Sequence, residues 1–233
     1  STLFPYTTLF RSGARKVYLC ESAVATATGA GIDINKPDGH LVIDIGGGTT
    51  ETAVVSLGGV AECESIRTAG SEFDEAIVRY IRRKHNILIG SRTAEELKIS
   101  IGCLAPRSEM GIEEIKGRDL VTGLPKTAKI SSAELTEVLM EPAKTILESV
   151  HMVLERTPPE LVADISGNGI VMSGGGSLLY GFDKLVEADT GIRTVVVDDP
   201  VACAAYGAGK MLLHLNDLQD GMVNFARKRQ LNR

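Results

Sequence analysis

The sequence lacks the residue patterns that mark several common kinds of site and segment. Its four cysteines, Cys20, Cys63, Cys103 and Cys203, form no CxxC pair, and its four histidines have no ligand spacing. We therefore expect neither a disulfide framework nor a zinc site, and the cysteines are typical of buried thiols in a reducing cytoplasm. The chain contains no run of about eighteen apolar residues, so no membrane-spanning segment is predicted.

The charge balance argues against a further class of partner. The 233 residues carry 25 Lys and Arg against 30 Asp and Glu, a net charge of −5 without a broad basic bias. This balance gives nucleic-acid binding little support. With 43% hydrophobic and 24% charged residues, the composition agrees with a soluble protein of one large or two small domains.

What the chain does have is two glycine triplets, each at the end of a strand-like run. The first, residues 46–48, follows the apolar run 40–43 and precedes a second strand-like run, 52–57. This pattern predicts a β-hairpin whose turn N–H groups can face phosphate oxygens. The pattern is not a P-loop, which would need a GK[ST] sequence opening a helix, and it does not match the GxGxxG dinucleotide fingerprint.

Polar residues beside the first triplet predict a place for a cation. Asp44 lies where the first strand is expected to end, and its carboxylate suits a hydrated Mg²⁺, which prefers carboxylate and water oxygens. Thr49 and Thr50 supply hydroxyls next to the glycines. The alternative is that Asp44 only caps a tight turn.

The second triplet, residues 174–176, has a different context. It follows the strand-like run 169–173 and precedes a pattern typical of a helix from 177 to about 188. Backbone amides at a helix N-terminus attract anions and polar ligand groups. Either triplet alone is consistent with a plain tight turn. The pair with these flanks predicts a cleft that binds a nucleotide from two sides.

Further segments resemble a known family. The chain is similar to the MreB family of bacterial actin homologues, within the ATPase superfamily of actin, sugar kinases and heat-shock chaperones. The resemblance runs from about residue 13 to 214. Besides the triplets it rests on these blocks: GSRTAEELK at 90–98, KGRDLVTGLPK at 116–126, ERTPPEL at 155–161 and DDPVAC at 198–203.

The resemblance implies an α/β, actin-like ATPase (ribonuclease H-like) fold, mainly its second lobe with a small inserted subdomain. Residues 13–40 would be a remnant of the first lobe. The remaining parts would be a nucleotide-binding core in 41–70 and 131–199, the inserted subdomain in 71–130, and a return to the first lobe with a basic tail in 200–233.

Residues 1–12, STLFPYTTLFRS, do not fit this pattern. They repeat Thr-Leu-Phe and resemble translated sequencing-adapter read-through, so this non-native segment is expected to form no part of the fold. The family's earlier phosphate loop has no counterpart before Asp44. We therefore expect an N-terminally truncated family member with weakened nucleotide binding.

The resemblance also assigns roles around the first triplet, with ATP and Mg²⁺ as the implied cofactors. Amides of Gly46, Gly47 and Gly48 would face the phosphates, and Asp44 would organise Mg²⁺ through water. Thr49 matches the family threonine near the attacking water.

On the adenosine side, Glu95 and Lys98 match the family pair that contacts the nucleoside. The alternative for this pair is a plain i,i+3 salt bridge on a helix surface. The glycines Gly174, Gly175 and Gly176 would pass under the adenosine.

One departure affects hydrolysis. The family orients the attacking water with a Glu that lies seven residues before a Gly-Ala-Gly sequence. That sequence is residues 29–31 here, and the residue seven positions before it is Ser22. Glu21 is one residue off, and in a helix such a slip turns a side chain by about 100°. Hydrolysis is therefore expected to be slow unless Glu21 serves in its place.

The resemblance implies a cytoskeletal subunit that polymerises with ATP at the inner face of the cell membrane. Its partners would be copies of itself, the membrane surface and the cell-wall elongation machinery, and its role would be to guide peptidoglycan synthesis in rod-shaped cells. A filament protein that binds nucleotide but hydrolyses it poorly is the alternative. A chaperone or sugar kinase on the same fold is less favoured.

The remaining patterns are local. The basic tail, with Arg227, Lys228 and Arg229 after apolar neighbours, is consistent with a site for anionic lipid or with a frayed terminus. Other patterns predict a helix capped by Ser71, turns at Gly117 and Gly123, a capping box of Ser131 and Glu134, a kink at Pro142 and a last helix from Pro200.

Overall fold

The computed structural model describes residues 18–107 and 110–213, together with the backbone of Val223 and Asn224. The adapter-like segment 1–12, the start of the resemblance at residue 13 and the side chains of the basic tail lie outside the described residues. Within the described ranges, no helix combines the length and apolarity needed to cross a bilayer.

The elements alternate between strands and helices along the chain. The strands are β1 Tyr18–Leu19, β2 His40–Ile45, β3 Thr50–Ser56, β4 Gly59–Ile66, β5 Ile87–Leu88, β6 Ile112–Asp119, β7 Pro125–Ser131, β8 Ile170–Ser173, β9 Thr194–Val196 and β10 Val223–Asn224. The helices are α1 Ser22–Gly29, α2 Gly70–His85, α3 Ser91–Ile101, α4 Ser132–Arg156, α5 Pro159–Asn168, α6 Phe182–Thr190 and α7 Cys203–Leu213.

A five-stranded mixed sheet of order β4-β3-β2-β8-β9 forms the centre of the fold. The first three strands are antiparallel neighbours, whereas β8 pairs in parallel with β2 and with β9. The central strand β2 is apolar on both of its faces, as expected of a strand covered from two sides. The predicted hairpin around the first triplet is confirmed as β2–β3.

The two faces of this sheet bury alternate residues of the same strand. Leu41 and Ile43 belong to a large core that includes residues of α2, α3 and α4. Val42 and Ala53 belong to a smaller core with α1 and with Met211 of α7. Because side chains alternate across a strand, the sheet is covered by helices on both sides.

A second sheet, β5-β6-β7, lies within the predicted inserted subdomain and is antiparallel throughout. The predicted turn at Gly123 is confirmed, but that at Gly117 is wrong, because Gly117 pairs with Lys126 inside the strand. A β-carbon there would lie 2.4 Å from Ile87 Cγ2 and 2.6 Å from Leu88 O. Glycine is therefore needed for the close approach of β5, and not for chain reversal.

The longest helix, α4, begins with the predicted capping box. The Ser131 hydroxyl accepts a hydrogen bond from the Glu134 amide at 3.4 Å, and Glu134 Oε2 accepts one from the Ser131 amide at 2.9 Å. These two bonds satisfy backbone donors at the helix start. The helix continues through the buried Pro142 to Arg156.

Three predicted helix starts were wrong by a few residues. Helix α2 starts at Gly70, so Ser71 lies inside its first turn and does not cap it. The expected helix from 177 is a 3₁₀ turn at Gly175–Leu178, and α6 starts only at Phe182 because Gly181 has a φ of 78°. Helix α7 starts at Cys203 and not at Pro200.

The cysteine prediction held for two of the four residues. Cys103 and Cys203 are buried, Cys20 is half-buried, and Cys63 is exposed on β4. Cys63 is exposed because exposed and half-buried side chains alternate along β4 and Cys63 lies on the exposed face of the strand.

Candidate functional site

The sheet brings the two glycine triplets together. Strands β2 and β8 run in parallel, with Asp44 opposite Ser173, and each triplet leaves the carboxyl end of its strand. Carboxyl ends of parallel strands meet at one edge of the sheet, which is where open α/β sheets usually bind ligands. Triplets that are distant in sequence therefore become neighbours in space.

The first triplet is fixed by its own turn and by helix α2. The Gly46 amide donates to Thr49 O at 2.9 Å, closing the hairpin. The carbonyl oxygens of Gly46 and Gly47 accept hydrogen bonds from the amides of Gly70 at 3.0 Å and Ser71 at 2.7 Å. Within the described ranges the amides of Gly47 and Gly48 have no hydrogen-bond partner, so these N–H groups are available to a ligand.

The second triplet is held against the first by close backbone contacts. Gly174 has a φ of 80°, and its amide donates to Pro200 O at 2.9 Å. This use of the Pro200 carbonyl explains why the segment before α7 is a turn. A β-carbon on Gly176 would lie 2.3 Å from Ile45 Cγ2, so only glycine fits there without a shift.

Between the triplets and helices α2 and α3 lies a cavity of about 360 Å³. Four glycines of the triplets line one side: Gly46, Gly47, Gly175 and Gly176. Charged and polar side chains line a second part: Ser71, Asp74, Glu95, Lys98 and Arg107. Large apolar or aromatic residues line the rest, among them Ile99, Leu178, Tyr180 and Val201. The cavity thus combines glycine backbone, a group of charges and an apolar wall.

Lys98 forms the central ion pair of this cavity. Its Nζ lies 2.8 Å from Asp74 Oδ1 and donates to Gly70 O at 3.0 Å, and both charged side chains are only 14% exposed. Lys98 is therefore paired with Asp74 on α2, and the described ion pairs do not include the alternative bridge to Glu95. Burial raises the pKa of Asp74, the nearby Glu95 charge adds to the rise, and Lys98 opposes it.

Asp44 lies on the other side of the hairpin turn, toward α1. Its Oδ2 accepts a hydrogen bond from the Thr26 hydroxyl at 3.3 Å. Burial raises the pKa of Asp44, and this hydrogen bond partly offsets the rise. The described residues contain no cluster of three or more side chains suited to hold a metal. A single carboxylate fits Mg²⁺ whose other ligands are water and phosphate oxygens.

Several predicted site residues do not line the cavity. Gly48 and Thr49 are exposed at the hairpin turn. Thr50 is fully buried, and its hydroxyl donates to Thr68 O at 2.7 Å, which occupies it in the fold. Glu21 and Ser22 are exposed at the start of α1, and the Glu21 charge contributes to a raised pKa of Cys63 on β4.

The sequence reasoning missed residues that the fold adds to the cavity. Asp74 and Ser71 come from α2, whereas Arg107 and Tyr180 come from segments that carry no recognised motif. The Arg107 guanidinium carbon lies 4.6 Å from the centre of the Tyr180 ring, and its nitrogens donate to carbonyls at the end of α3. Asp74 lies four residues, about one helical turn, after Gly70, so the sequence could have placed these two residues on the same face of the helix.

Comparison with known proteins gives consistent relatives. The model of the family described as MreB/Mbl protein matches residues 7–220. The cell shape-determining protein MreB of Escherichia coli K12 is 46% identical over 211 residues, which are 89% of this chain and 61% of that protein. The cell shape-determining protein Mbl of Bacillus cereus is 45% identical over 208 residues, 89% of this chain and 62% of that protein.

A solved structure is also similar. The crystal structure of MreB5 of Spiroplasma citri bound to ADP matches with a TM-score of 0.82 and 44% identity, covering 84% of this chain and 59% of that one. The chain therefore spans about three fifths of the length of the relatives that it matches.

Proposed function

We propose that this chain, which belongs to the MreB/Mbl family, is part of an ATP-binding, actin-like cytoskeletal filament subunit. The fold is that of actin-like ATPases, as the resemblance predicted. The cell shape-determining relatives support a role in maintaining rod shape, and they disfavour a chaperone or sugar kinase. Because the chain spans only part of their length, the activities of the whole protein belong to this proposal.

The observation that carries the nucleotide proposal is the cavity between the two glycine triplets. Its apolar wall suits a base, its charged group suits a sugar, and the unpaired amide of Gly47 suits phosphate oxygens. The unpaired amide of Gly48 lies next to the cavity at the hairpin turn. Asp44 would hold Mg²⁺ through water, and the ion would neutralise phosphate charge. The related MreB5 of Spiroplasma citri is bound to ADP in its crystal structure, which supports the same ligand class.

Two forms of this function differ in how fast the subunit hydrolyses ATP, and Ser22 favours slow hydrolysis. Its hydroxyl cannot accept a proton from water as a carboxylate can. The adjacent Glu21 is exposed at the N-cap of α1, where its charge acts on Cys63. A subunit that binds ATP and hydrolyses it slowly is therefore the second candidate function.

The cellular location and the binding partners are proposed on the basis of family membership alone. Copies of the same chain would form the filament, and the filament would lie in the cytoplasm at the inner face of the membrane. There it would organise peptidoglycan synthesis together with the cell-wall elongation machinery. The relatives' description as cell shape-determining proteins supports this part of the proposal.

The first test is titration of a fluorescent ATP analogue with Mg²⁺ into the chain and into Asp44→Ala. We expect saturable binding that weakens about ten-fold or more in the variant, since a charged metal contact is lost. Asp183→Asn, which changes a carboxylate outside the cavity, is the matched control and is expected to bind like the unaltered chain. A folded chain that binds no nucleotide overturns the proposal for this chain.

A second test separates the two candidate functions. ATP hydrolysis and filament sedimentation are measured for the unaltered chain and for Ser22→Glu. Faster hydrolysis in the variant supports the slow-turnover function, because the substitution restores a carboxylate at the family position. Equal hydrolysis above background in both proteins contradicts it.

A further inference from the structure

We propose that Thr26 is a positioning residue for the metal end of the nucleotide site: its hydroxyl fixes one oxygen of the Asp44 carboxylate and leaves the other to the water shell of Mg²⁺. This inference rests on the proposed nucleotide function and adds to it a residue of α1 that belongs to neither glycine triplet. Three features of the described structure support it: the burial of Thr26, the direction of its hydrogen bond and the packing around the Asp44 carboxylate.

Thr26 is the one polar side chain in the buried stretch of α1. This helix buries five consecutive residues, 23–27, and the other four are alanine or valine. Thr26 itself is fully buried. A buried hydroxyl without a partner costs free energy, so a threonine among these apolar residues indicates a specific hydrogen bond.

The hydrogen bond of the Thr26 side chain leaves the helix. A threonine inside a helix can donate to the carbonyl four residues earlier. Thr28 of the same helix does so, with its hydroxyl 2.8 Å from Val24 O. The Thr26 hydroxyl donates instead to Asp44 Oδ2 on strand β2, at 3.3 Å. The two threonines therefore differ in role, since Thr28 bonds within α1 and Thr26 connects α1 to the carboxylate beside the first triplet.

Helix α1 is a fixed support for this hydroxyl. Gly207 of α7 packs so closely on α1 that a β-carbon there would lie 1.7 Å from Ala25 O. The Cys203 thiol, at the start of α7, donates to Thr26 O at 3.4 Å. Helix α1 also shares a core with Val42 of β2, the strand that carries Asp44. The Thr26 hydroxyl is thus in place before a ligand arrives, and preorganisation lowers the cost of binding.

The two oxygens of the Asp44 carboxylate have different surroundings. Oδ2 accepts the hydrogen bond from Thr26, whereas Oδ1 lies against Gly174, where a β-carbon would be 2.6 Å away. Among the residues that the structure describes, Oδ1 accepts no hydrogen bond, and Asp44 is only half-buried. A carboxylate with one fixed and one free oxygen suits a water ligand of Mg²⁺. The hydrogen bond from Thr26 also favours the charged form of the carboxylate, which is the form that attracts the ion.

The experiment titrates Mg²⁺ into the full chain in the presence of a fluorescent ATP analogue and records the Mg²⁺ concentration at half-maximal binding. Thr26→Val keeps the branched shape of the side chain and removes the hydroxyl. We expect this variant to need about three- to ten-fold more Mg²⁺. This is less than is usual for a hydrogen bond to a charged group, because the 3.3 Å separation is long. Binding of the analogue in excess EDTA should be the same in both proteins.

Three further variants separate the hydroxyl from folding and shape. Thr26→Ser keeps a hydroxyl and should restore the Mg²⁺ dependence of the unaltered chain. Thr26→Ala also removes the hydroxyl, suits a helix and should behave like Thr26→Val, so it decides the question if Thr26→Val does not fold. Thr28→Val is the matched control and should behave like the unaltered chain, because the hydroxyl that it removes bonds within α1.

The outcomes separate this inference from the proposed function. An equal Mg²⁺ requirement of the unaltered chain and of the variants without the Thr26 hydroxyl overturns the inference and leaves ATP binding in place. A loss of affinity that is equal with Mg²⁺ and with EDTA also overturns it, because Thr26 would then only support the fold. Nucleotide binding by the unaltered chain that does not respond to Mg²⁺ overturns it as well. A folded chain that binds no nucleotide overturns the inference and the proposed function together.

Discussion

Gly174 lies directly against Asp44. A β-carbon built on Gly174 would be 2.6 Å from Asp44 Oδ1 and 2.3 Å from Ile45 O. One glycine of the second triplet therefore packs on the carboxylate beside the first triplet. This contact makes the two triplets a single structural unit, and it predicts how each glycine tolerates a side chain.

Gly174→Ala is expected to destabilise the fold by at least about 1–2 kcal/mol, the cost of a positive φ in a residue with a β-carbon. The contact with Asp44 adds to that cost. Gly175→Ala is the matched control, because the nearest atom to its β-carbon would be Val201 Cγ2 at 3.9 Å. Urea unfolding followed by circular dichroism measures both. Equal stability of the two variants contradicts the prediction.

Helices α1 and α7 cross at a similarly close contact. A β-carbon on Gly207 would lie 1.7 Å from Ala25 O, and none of its neighbours there is a flexible side chain. Gly207→Ala is therefore expected to cost about 1–3 kcal/mol or more by overpacking. Thermal unfolding of the variant is the measurement.

The control for this variant lies on the same helix. Gly209 is exposed and has open space around its position. Gly209→Ala should stabilise the chain by up to about 1 kcal/mol through helix propensity. A loss of stability in Gly207→Ala together with a gain in Gly209→Ala supports the packing explanation. A loss of stability in both variants argues against it.

Glu134 links stability to acid pH. Hydrogen bonds to its carboxylate lower the pKa of Glu134 from 4.5 to about 2. The bond from Lys84 has the largest effect, followed by those from Ser131 and Tyr80. A folded-state pKa below the unfolded value means that the ionised carboxylate stabilises the fold. This contribution is complete above pH 4.5 and is lost as the pH falls toward 2.

Glu134→Gln removes the charge and keeps a side chain that suits the capping box. We expect the variant to be less stable than the unaltered chain at pH 7, with the difference shrinking below pH 4.5. Urea unfolding at a series of pH values measures this difference. Glu148→Gln, at an exposed position of the same helix, is the control. A stability difference between Glu134→Gln and the unaltered chain that is the same at pH 7 and at pH 3 contradicts this role of the Glu134 charge.

Cys63 is expected to react slowly although it is exposed. Partial burial of its sulfur, followed by the Glu51 charge, raises the pKa of the thiol to about 11. Little thiolate is then present near pH 8, and the thiolate is the reactive form. Glu51→Gln should speed alkylation by iodoacetamide by up to about ten-fold, because one pKa unit is a ten-fold change in thiolate.

Mass spectrometry resolves this labelling at Cys63 from that of the other three cysteines. Glu160→Gln on α5 serves as the control substitution. Unchanged rates in Glu51→Gln would contradict the role of Glu51.

Local chemistry predicted much of the fold and of the site. The strand–glycine–strand run defined the β2–β3 hairpin, and Ser131 with Glu134 defined the start of α4. These features depend on residues within a few positions of one another. The errors at Ser71, Gly117 and Pro200 share a cause, because each of these residues serves a distant partner: Ser71 the Gly47 carbonyl, Gly117 strand β5, and Pro200 the Gly174 amide.

The sequence by itself determined the two triplets, their flanking strands and the family, because these depend on residue type and order along the chain. Only the tertiary structure decided that Asp74 pairs with Lys98 and that Gly174 packs on Asp44. Both contacts follow from the parallel pairing of β2 with β8 and from the packing of α2 against α3. Such pairings depend on the three-dimensional arrangement of distant segments, and no local pattern records them.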